Sequence, residues 1–363
     1  MNWLYIYAAA FAGALALSAI TTPIMRKIAL KTGFLDRPLS EAHKRQTAPV
    51  ALGGGVAMLA SFLLCIIAVW GMDVSGIIER AGLSYSDSVY LNWGGGKIIA
   101  TLTGAVLAAG IGFYDDKKAM KAQTKLFWQF IIAVIAVWPG EMRISLLGTT
   151  QAVTIPLSIL WFVFIMNAIN FFDNMDGLLS GTAGIAMVFF ALTAALNQQF
   201  LVTSFAAASA GICAGFWLYN RAPASIYMGD CGSHFLGYLI ATVSVMTTYF
   251  SSDSASGFQL FMPLLILAIP IIDALTVCVI RTANGKPFWV GDNNHISHRF
   301  VRLGLSKAQA VFCVHLLGII FGLGAMPLLW GEWRTTAVML LQALFLAALV
   351  LVVQFDAQKR EPK

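Results

Sequence analysis

The sequence predicts an all-α polytopic membrane protein, with about 10–11 transmembrane helices in a single domain that spans residues 1–363. Only 11% of the residues are charged, whereas soluble domains average about 25%. Apolar runs long enough to cross a hydrocarbon core of about 30 Å recur from one end of the chain to the other. No segment of soluble-domain length remains between these runs, so the whole chain is predicted to be one membrane domain.

Hydropathy predicts the spans one by one. Eleven candidates lie near residues 3–24, 51–71, 97–114, 125–139, 155–172, 178–195, 200–219, 235–250, 260–280, 310–330 and 335–354. The first lacks a basic n-region and a cleavage site before a polar domain, so we expect a retained helix rather than a signal peptide. After the fourth span, alternating β-branched residues around a Gly-Thr turn predict a small periplasmic β-hairpin near residues 142–154.

The distribution of Lys and Arg predicts the orientation, because positively charged loops stay in the cytoplasm. With a periplasmic N-terminus and a cytoplasmic C-terminus, all but four of the 23 Lys and Arg residues lie on the cytoplasmic side of a bacterial inner membrane. Anionic headgroups explain the net charge of +6, so no nucleic-acid partner is expected. The five cysteines show no paired spacing, which predicts neither disulfides nor a zinc site.

The first polar cluster ends the third span with the adjacent carboxylates Asp115 and Asp116, followed by lysines that include Lys125. Adjacent carboxylates repel each other unless a cation or a proton lies between them. The pair alone is weak evidence for a site, because a solvated helix end neutralised by its own lysines explains it without any function. A functional role is still the default hypothesis, because acidic residues at membrane depth are costly.

The second cluster lies at the exit of the fifth span. Asn170, Asp173 and Asp176 recur at intervals of three residues, which spreads oxygen atoms along one side of a helix end. Mg²⁺ prefers oxygen ligands and takes only one or two of them from protein when phosphates supply the rest. The alternative is a polar cap that ends the helix, although capping needs one Asn or Asp rather than several polar groups.

The third cluster places Asp230 on a tight turn between Gly229 and Gly232. Glycine lets the backbone approach a ligand closely, and the helix that opens at Ser233 favours anions at its N-terminus. A capped turn, with Asp230 as its N-terminal charge, is the alternative interpretation.

The fourth cluster and the first loop are basic. His295 and His298 stand three residues apart beside Arg299, which suits phosphate oxygens through charge-assisted hydrogen bonds. A chance pair of histidines on a solvated helix is the alternative, and a zinc site would need further ligands. Basic residues such as Lys44, in the loop of residues 25–50, either reflect orientation alone or help to hold a diphosphate.

In combination, the order DD, NxxNxxDxxDG, GDxGS and HxxHR resembles the polyprenyl-phosphate N-acetylhexosamine-1-phosphate transferases of glycosyltransferase family 4 over nearly the whole chain. The segments DRPLSEAHKRQTAPVALGG and HISHRFVRLGLS resemble the undecaprenyl-phosphate GlcNAc-1-phosphate transferases more than phospho-MurNAc-pentapeptide translocase. Two positions depart from the family pattern. Asn174 stands where Asp-Gly-x-Asp-Gly has its first Gly, and Ser297 where His-x-His-His has its second His.

The resemblance implies a role for each cluster. Asp230 and Asn170 match positions at a bound Mg²⁺, for which Mn²⁺ is a substitute, and Asp115 and Asp116 match a pair assigned to the lipid phosphate. The positions that match residues around the uridine are Asp176 and Asn220, and those that match residues lining the diphosphate are Asp173, Lys125, His295, His298 and Arg299.

The implied reaction is attack of undecaprenyl phosphate on the β-phosphorus of a UDP-N-acetylhexosamine, with UDP-GlcNAc as the default, as the initiating step of a cell-envelope polysaccharide such as lipopolysaccharide O-antigen. Such transfer depends on alignment and charge neutralisation, so a covalent aspartyl intermediate is ranked lower. An ion-coupled secondary transporter is the alternative, but carriers place their sites near the midplane and often show repeats, which this sequence lacks. A homodimer is left open.

Overall fold

The computed structural model describes residues 3–36, 49–76, 95–144, 150–247, 249, 258–330 and 333–359. Within these ranges the chain is almost entirely helical. The helices are α1 (Trp3–Thr32), α2 (Gly54–Val74), α3 (Gly96–Lys117), α4 (Ala122–Val137), α5 (Gln151–Phe172), α6 (Leu178–Leu196), α7 (Phe200–Asn220), α8 (Gly229–Met246), α9 (Met262–Ile266), α10 (Ala268–Ala283), α11 (Ile296–Arg302), α12 (Lys307–Ala325) and α13 (Trp333–Lys359). Short 3-10 helices, Phe258–Phe261 and Met326–Trp330, precede α9 and follow α12.

These helices confirm the predicted all-α membrane architecture, and every predicted span overlaps one of them. Among the described residues, eight helices are long and apolar enough to cross a membrane. The ninth predicted span is a broken one: α9, with the 3-10 helix before it, and α10 meet at an angle of 70°. The break at Leu267 lies just before Pro270. In a regular helix the proline ring would clash with the carbonyl group four residues earlier, and proline has no N–H to donate to that carbonyl.

The hairpin predicted near residues 142–154 is not formed in the part of the chain that the structure describes. Residues 141–144 form no strand and α5 begins at Gln151, while residues 145–149 lie outside the described ranges. Extending a long apolar helix by one turn costs little, whereas a lone two-stranded ribbon is marginal in stability. The small sheet forms elsewhere, where β1 (Leu35–Asp36) pairs with β2 (Val50–Ala51) and Ala51 also bridges to Ile226.

Helix α8 lies at the centre of the bundle, packed against α2, α3 and α5. Every residue from Cys231 to Ser244 is buried. Two glycines permit this packing, because a Cβ at Gly55 on α2 or at Gly112 on α3 would overlap the backbone of the first turn of α8. The close approach brings the end of α3 and the start of α2 against the turn that contains Asp230.

Candidate active site

The first turn of α8 is capped by a carboxylate from α3. Gly229 has a positive φ of 69°, which glycine adopts without strain, and it turns the chain into the helix. Asp116 Oδ1 and Oδ2 then accept the backbone N–H groups of Asp230 and Cys231, at 2.7 and 3.1 Å. The unpaired N–H groups and the dipole of a helix N-terminus both favour a carboxylate at this position. Asp116 thus fixes the backbone that carries Asp230.

The side chain of Asp230 forms the centre of a charged cluster. Lys125 Nζ lies 2.7 Å from Asp230 Oδ2 and 2.6 Å from Asp115 Oδ2. Asn170 Nδ2 donates to Asp230 Oδ1 at 2.9 Å. The other oxygen of Asp115 accepts the backbone N–H of Met120 at 2.6 Å. One lysine therefore bridges carboxylates that come from two separate motifs.

Buried amides support this cluster from inside the bundle. His234 Nδ1 donates to the backbone carbonyl of Asp230 at 2.9 Å, and its Nε2 accepts from Gln129 Nε2 at 3.1 Å. Gln129 Oε1 in turn accepts from Asn167 Nδ2 at 2.7 Å. In this series of hydrogen bonds each donor faces an acceptor when the imidazole of His234 is neutral. Sequence reasoning missed these three side chains, although polar residues inside apolar runs are a signal of such networks.

The loop of residues 173–177, here called the acidic loop, places the carboxyl groups of Asp173 and Asp176 beside Asp230. Burial, and then the charges of Asp230, Asp116 and Asp176, raise the pKa of Asp173 to about 8. Among the described residues, no three His, Cys, Asp or Glu side chains surround one point as they would in a metal site built from protein alone. Carboxylates that repel one another in this way suit a cation that is shared with a bound phosphate.

Asp176 and Asn220 shape the loop between α7 and α8. Asp176 Oδ2 accepts the backbone N–H of Ala224 at 2.9 Å. The Asn220 amide accepts from the backbone of Gly177 at 3.2 Å and donates to the carbonyl of Ile226 at 3.0 Å. Asn220 is only 4% exposed. Its amide therefore fixes the loop, and the half-buried Asp176 is the one of the two that lies closer to solvent.

Helix α11, which carries the histidine motif, is docked on a carboxylate inside the bundle. Asp273 of α10, 1% exposed, accepts the Nδ1–H of His295 at 2.7 Å and the backbone N–H of Ile296 at 2.6 Å. The Nε2 atom of His295 faces Arg281 Nη2 at 3.5 Å. Both ring nitrogens of His295 are thus engaged within the protein. Sequence reasoning missed Asp273, although a carboxylate inside a predicted span is a functional signal.

Arg281, at the end of α10, ties the loop before α11 to α5. It donates to the backbone carbonyl of Phe288 at 2.7 Å and pairs with Asp292 at 3.0 Å. Its guanidinium also lies over the ring of Phe171, 5.4 Å from the ring centroid. Sequence reasoning missed Arg281 as well, because the positive-inside pattern already explains an Arg at this place.

The remaining predicted residues differ in their placement. Burial, and then the electrostatic influence of His295 and Arg302, lower the pKa of His298 to about 4, so the ring of His298 is neutral at pH 7. Arg299 follows it on α11 and is 1% exposed. Lys44 lies outside the described residues.

The four motifs meet at one end of the bundle. Direct hydrogen bonds or ion pairs join Asp115, Asp116, Lys125, Asn170 and Asp230. The acidic loop adjoins this cluster, and the Ser297 hydroxyl of α11 donates to Asn174 of the acidic loop at 2.5 Å. A hydrogen bond therefore connects the helix of the histidine motif to the acidic loop beside the carboxylate cluster.

Comparison with known proteins gives this site a family. The profile described as Glycosyl transferase family 4 matches residues 98–248, from α3 to just beyond α8. The chain is 31% identical to a Bacillus subtilis protein described as a probable undecaprenyl-phosphate N-acetylglucosaminyl 1-phosphate transferase. The alignment extends over 361 residues and covers 97% of this chain and 94% of that protein.

Two further relatives show the same extent of similarity. The decaprenyl-phosphate N-acetylglucosaminephosphotransferase of Mycobacterium tuberculosis is 29% identical over 358 residues, or 92% of this chain and 85% of that protein. The phospho-N-acetylmuramoyl-pentapeptide-transferase of Mycolicibacterium smegmatis is 29% identical over 377 residues, or 89% and 96%. Because the shared sequence runs through nearly the whole length of each protein, this membrane-embedded chain belongs to glycosyl transferase family 4, the polyprenyl-phosphate N-acetylhexosamine-1-phosphate transferases.

Proposed function

We propose that the chain transfers a sugar-1-phosphate, with GlcNAc-1-phosphate as the first choice, from a UDP-sugar to undecaprenyl phosphate, and releases UMP. The product begins a cell-envelope polysaccharide. The names of the relatives, which combine polyprenyl phosphates with N-acetylglucosamine, support this choice. The observation that carries the proposal is the contact of Lys125 with both Asp115 and Asp230, because it joins the residue proposed for the acceptor to the residue proposed for the donor.

The two adjacent carboxylates take different parts in this mechanism. Both oxygens of Asp116 accept backbone N–H groups of α8, so we assign to Asp116 the positioning of Asp230. Asp115 faces Lys125, and we assign to Asp115 the role of receiving a proton from the lipid phosphate. The second pKa of a phosphate monoester is about 6, so the acceptor is largely ionised at pH 7 and only a small fraction of it has a proton to transfer.

Asp230 and Asn170 are the residues that would hold Mg²⁺, or Mn²⁺ in its place. Burial contributes most to the raised pKa of Asp173, and the nearby carboxylates of Asp230, Asp116 and Asp176 add to it, so a cation bound here would offset charges that otherwise repel one another. When bound, the ion supplies positive charge that stabilises the diphosphate in the transition state. Lys125 places one positive charge between Asp115 and Asp230, which leaves this pair of carboxylates with a net negative charge that the ion would balance.

In the proposed transfer, an oxygen of the lipid phosphate forms a bond to the β-phosphorus of the donor. The bond from that phosphorus to the oxygen shared with the α-phosphate breaks, and UMP leaves with that oxygen and its electron pair. Arg299 and Lys125 are the side chains proposed to face the developing charge, and Asp176 is proposed to orient the uridine. His295, whose ring is held between Asp273 and Arg281, serves to fix α11.

We place the site at the cytoplasmic face of a bacterial inner membrane, with a periplasmic N-terminus and a cytoplasmic C-terminus. The distribution of Lys and Arg supports this orientation. The position of the charged cluster at the ends of α3 and α5 favours a transferase over a carrier, since carriers bind their substrates near the midplane.

The test uses purified protein in nanodiscs with UDP-GlcNAc labelled in the sugar and undecaprenyl phosphate. We expect a labelled lipid and an equal amount of UMP, both dependent on the acceptor and both abolished by EDTA. Asp230→Asn is the control variant, because it keeps the shape of the side chain and removes its charge. Release of UMP without a lipid product, or uptake of label into vesicles without release of UMP, would contradict the proposal.

A further inference from the structure

The two residues that depart from the family pattern contact each other. Asn174 replaces a Gly in the acidic loop, and Ser297 replaces a His in the first turn of α11. Although 123 positions separate them in the sequence, the Ser297 hydroxyl donates a hydrogen bond to Asn174 Oδ1 at 2.5 Å. The two departures are therefore a single structural feature.

The end of α5 orients the Asn174 side chain for this contact. Its Nδ2 group lies 3.2 Å from the carbonyl oxygen of Phe172 and 3.4 Å from that of Phe171. Both carbonyls belong to the last turn of the helix, where backbone acceptors lack partners within the helix. With the nitrogen end of the amide occupied, the oxygen end faces Ser297. A glycine has no side chain and could form neither contact.

Ser297 depends on this partner. Its side chain is fully buried, so water cannot readily replace the asparagine. A buried hydroxyl that loses its acceptor carries the cost of desolvation without compensation. A histidine at this position would need the space that the Asn174 amide fills. The pair is therefore matched in hydrogen-bonding capacity and in size.

The hydrogen bond connects the two halves of the proposed donor site. Asn174 immediately follows Asp173 in the acidic loop, and Ser297 immediately precedes His298 on α11. On its other side, α11 is docked on Asp273 of α10. The helix is thus held between α10 and the acidic loop, and the contact with Asn174 spans the gap between the carboxylates and the basic side chains.

We propose that Asn174 and Ser297 form a matched pair of positioning residues that sets the width of the site for the donor diphosphate. The identity of the donor rests on the proposed function. Loss of the pair allows α11 to move away from the acidic loop, so the UDP-sugar binds less tightly while the lipid acceptor is unaffected. Because both residues act through one bond, removing both partners costs no more than removing one.

A double-mutant cycle tests the pair in nanodiscs with UDP-GlcNAc and undecaprenyl phosphate. Ser297→Ala and Asn174→Ala should each raise the KM for UDP-GlcNAc about tenfold, the size expected for one buried hydrogen bond. The KM for undecaprenyl phosphate should not change. The double variant should also show about a tenfold increase, and Ser297→Thr, which keeps the hydroxyl, should resemble the wild type. The proposal would be overturned if the KM increases of the two single variants multiplied in the double variant, or if the single variants kept the wild-type KM for UDP-GlcNAc.

A size exchange gives a second, compensatory test. Ser297→His should reduce the kcat/KM for UDP-GlcNAc, because the imidazole meets the Asn174 amide. Adding Asn174→Gly removes that amide and should restore part of the loss. A combined variant that is less active than Ser297→His alone would show that the two positions are not a pair.

Folding and function are separated by a matched control and by a measurement that needs no turnover. The Ser306 hydroxyl accepts the backbone N–H of Gln309 at 3.3 Å and caps α12. Ser306→Ala should lower the melting temperature and leave the KM for UDP-GlcNAc unchanged. In hydrogen exchange without substrate, Ser297→Ala and Asn174→Ala should each speed exchange in α11, and the double variant no further. If the wild type transfers no sugar phosphate, the proposed function fails, whereas unchanged exchange in these variants refutes the pair.

Discussion

Asp116 caps the helix that carries Asp230, with 2.7 Å between Asp116 Oδ1 and the backbone nitrogen of Asp230. Asp115, its neighbour in the chain, turns instead to Lys125. One carboxylate of the pair therefore maintains the structure of the site while the other faces the charged cluster. Substitutions at the two positions should consequently fail in different ways.

Asp116→Ala removes the acceptor of two N–H groups and should lower the stability of the protein by about 1 kcal/mol, the usual cost of losing a helix cap. Activity should fall with it, because Asp230 is no longer held in place. Asp115→Asn should lower kcat and leave the melting temperature unchanged, because its partners are Lys125 and one backbone N–H. Thermal unfolding in detergent and UMP release distinguish the two, and an unchanged melting temperature for Asp116→Ala would argue against the cap.

Lys125 and the proposed metal ion should compete for the same carboxylate, since Lys125 Nζ lies 2.7 Å from Asp230 Oδ2. Lys125→Gln should therefore tighten the binding of Mn²⁺, whereas Asp230→Asn should weaken it. Both variants should lose about 10²-fold in turnover, as expected when one group that stabilises transition-state charge is removed. Electron paramagnetic resonance of Mn²⁺ measures binding without relying on activity. Equal affinities in the two variants would remove Asp230 from the metal site.

The meeting of the four motifs could be predicted from the sequence because of how membrane helices alternate. A chain that crosses the membrane returns to the same face after every second span, so the exit of one span and the entry of the next lie on one side. Hydropathy and the distribution of Lys and Arg are enough to place Lys125 and Asp230, 105 positions apart, at the same end of the bundle.

The division of roles within that cluster could not be predicted, because Asp115 and Asp116 are chemically identical. Consecutive side chains on a helix point about 100° apart, so only the packing of α3 against α8 determines which one faces the capped turn. That packing depends on the close approach at Gly112. Asp273 was missed for a related reason: the contact it makes with α11 depends on how a bent helix pair is placed in three dimensions.

Asp273→Asn tests whether the buried carboxylate holds α11. Asp273 accepts from both His295 and the backbone of Ile296, and an amide offers only one oxygen for these two donors. One donor is then left without an acceptor, which should cost about 1–3 kcal/mol of stability and raise the KM for the UDP-sugar. Asp292→Asn is the matched control, because Arg281 keeps its bond to the carbonyl of Phe288 there. Equal effects of the two substitutions would contradict a special role for Asp273.

The pH dependence of stability follows from His298. Burial, and then the electrostatic influence of His295 and Arg302, lower the pKa of His298 to about 4 in the folded protein, whereas an unfolded His has a pKa of about 6.5. Between these values the unfolded chain binds a proton that the folded chain does not, so stability falls as the pH is lowered from about 6.5 to about 4. Above pH 6.5 the contribution of His298 to stability is fully present.

His298→Gln should therefore flatten the dependence of the melting temperature on pH in this window, with the wild type at pH 7.5 as the reference. A bound diphosphate adds negative charge beside the ring and favours its protonated form, which opposes the shift caused by burial. UDP-GlcNAc should then bind the wild type more tightly as the pH falls through the pKa of His298 in the complex, which lies above the value of about 4 in the free protein, and should show no such gain with His298→Gln. Titration calorimetry at pH 7.5 and pH 5.5 measures the difference. A parallel pH response in both proteins would place His298 away from the diphosphate.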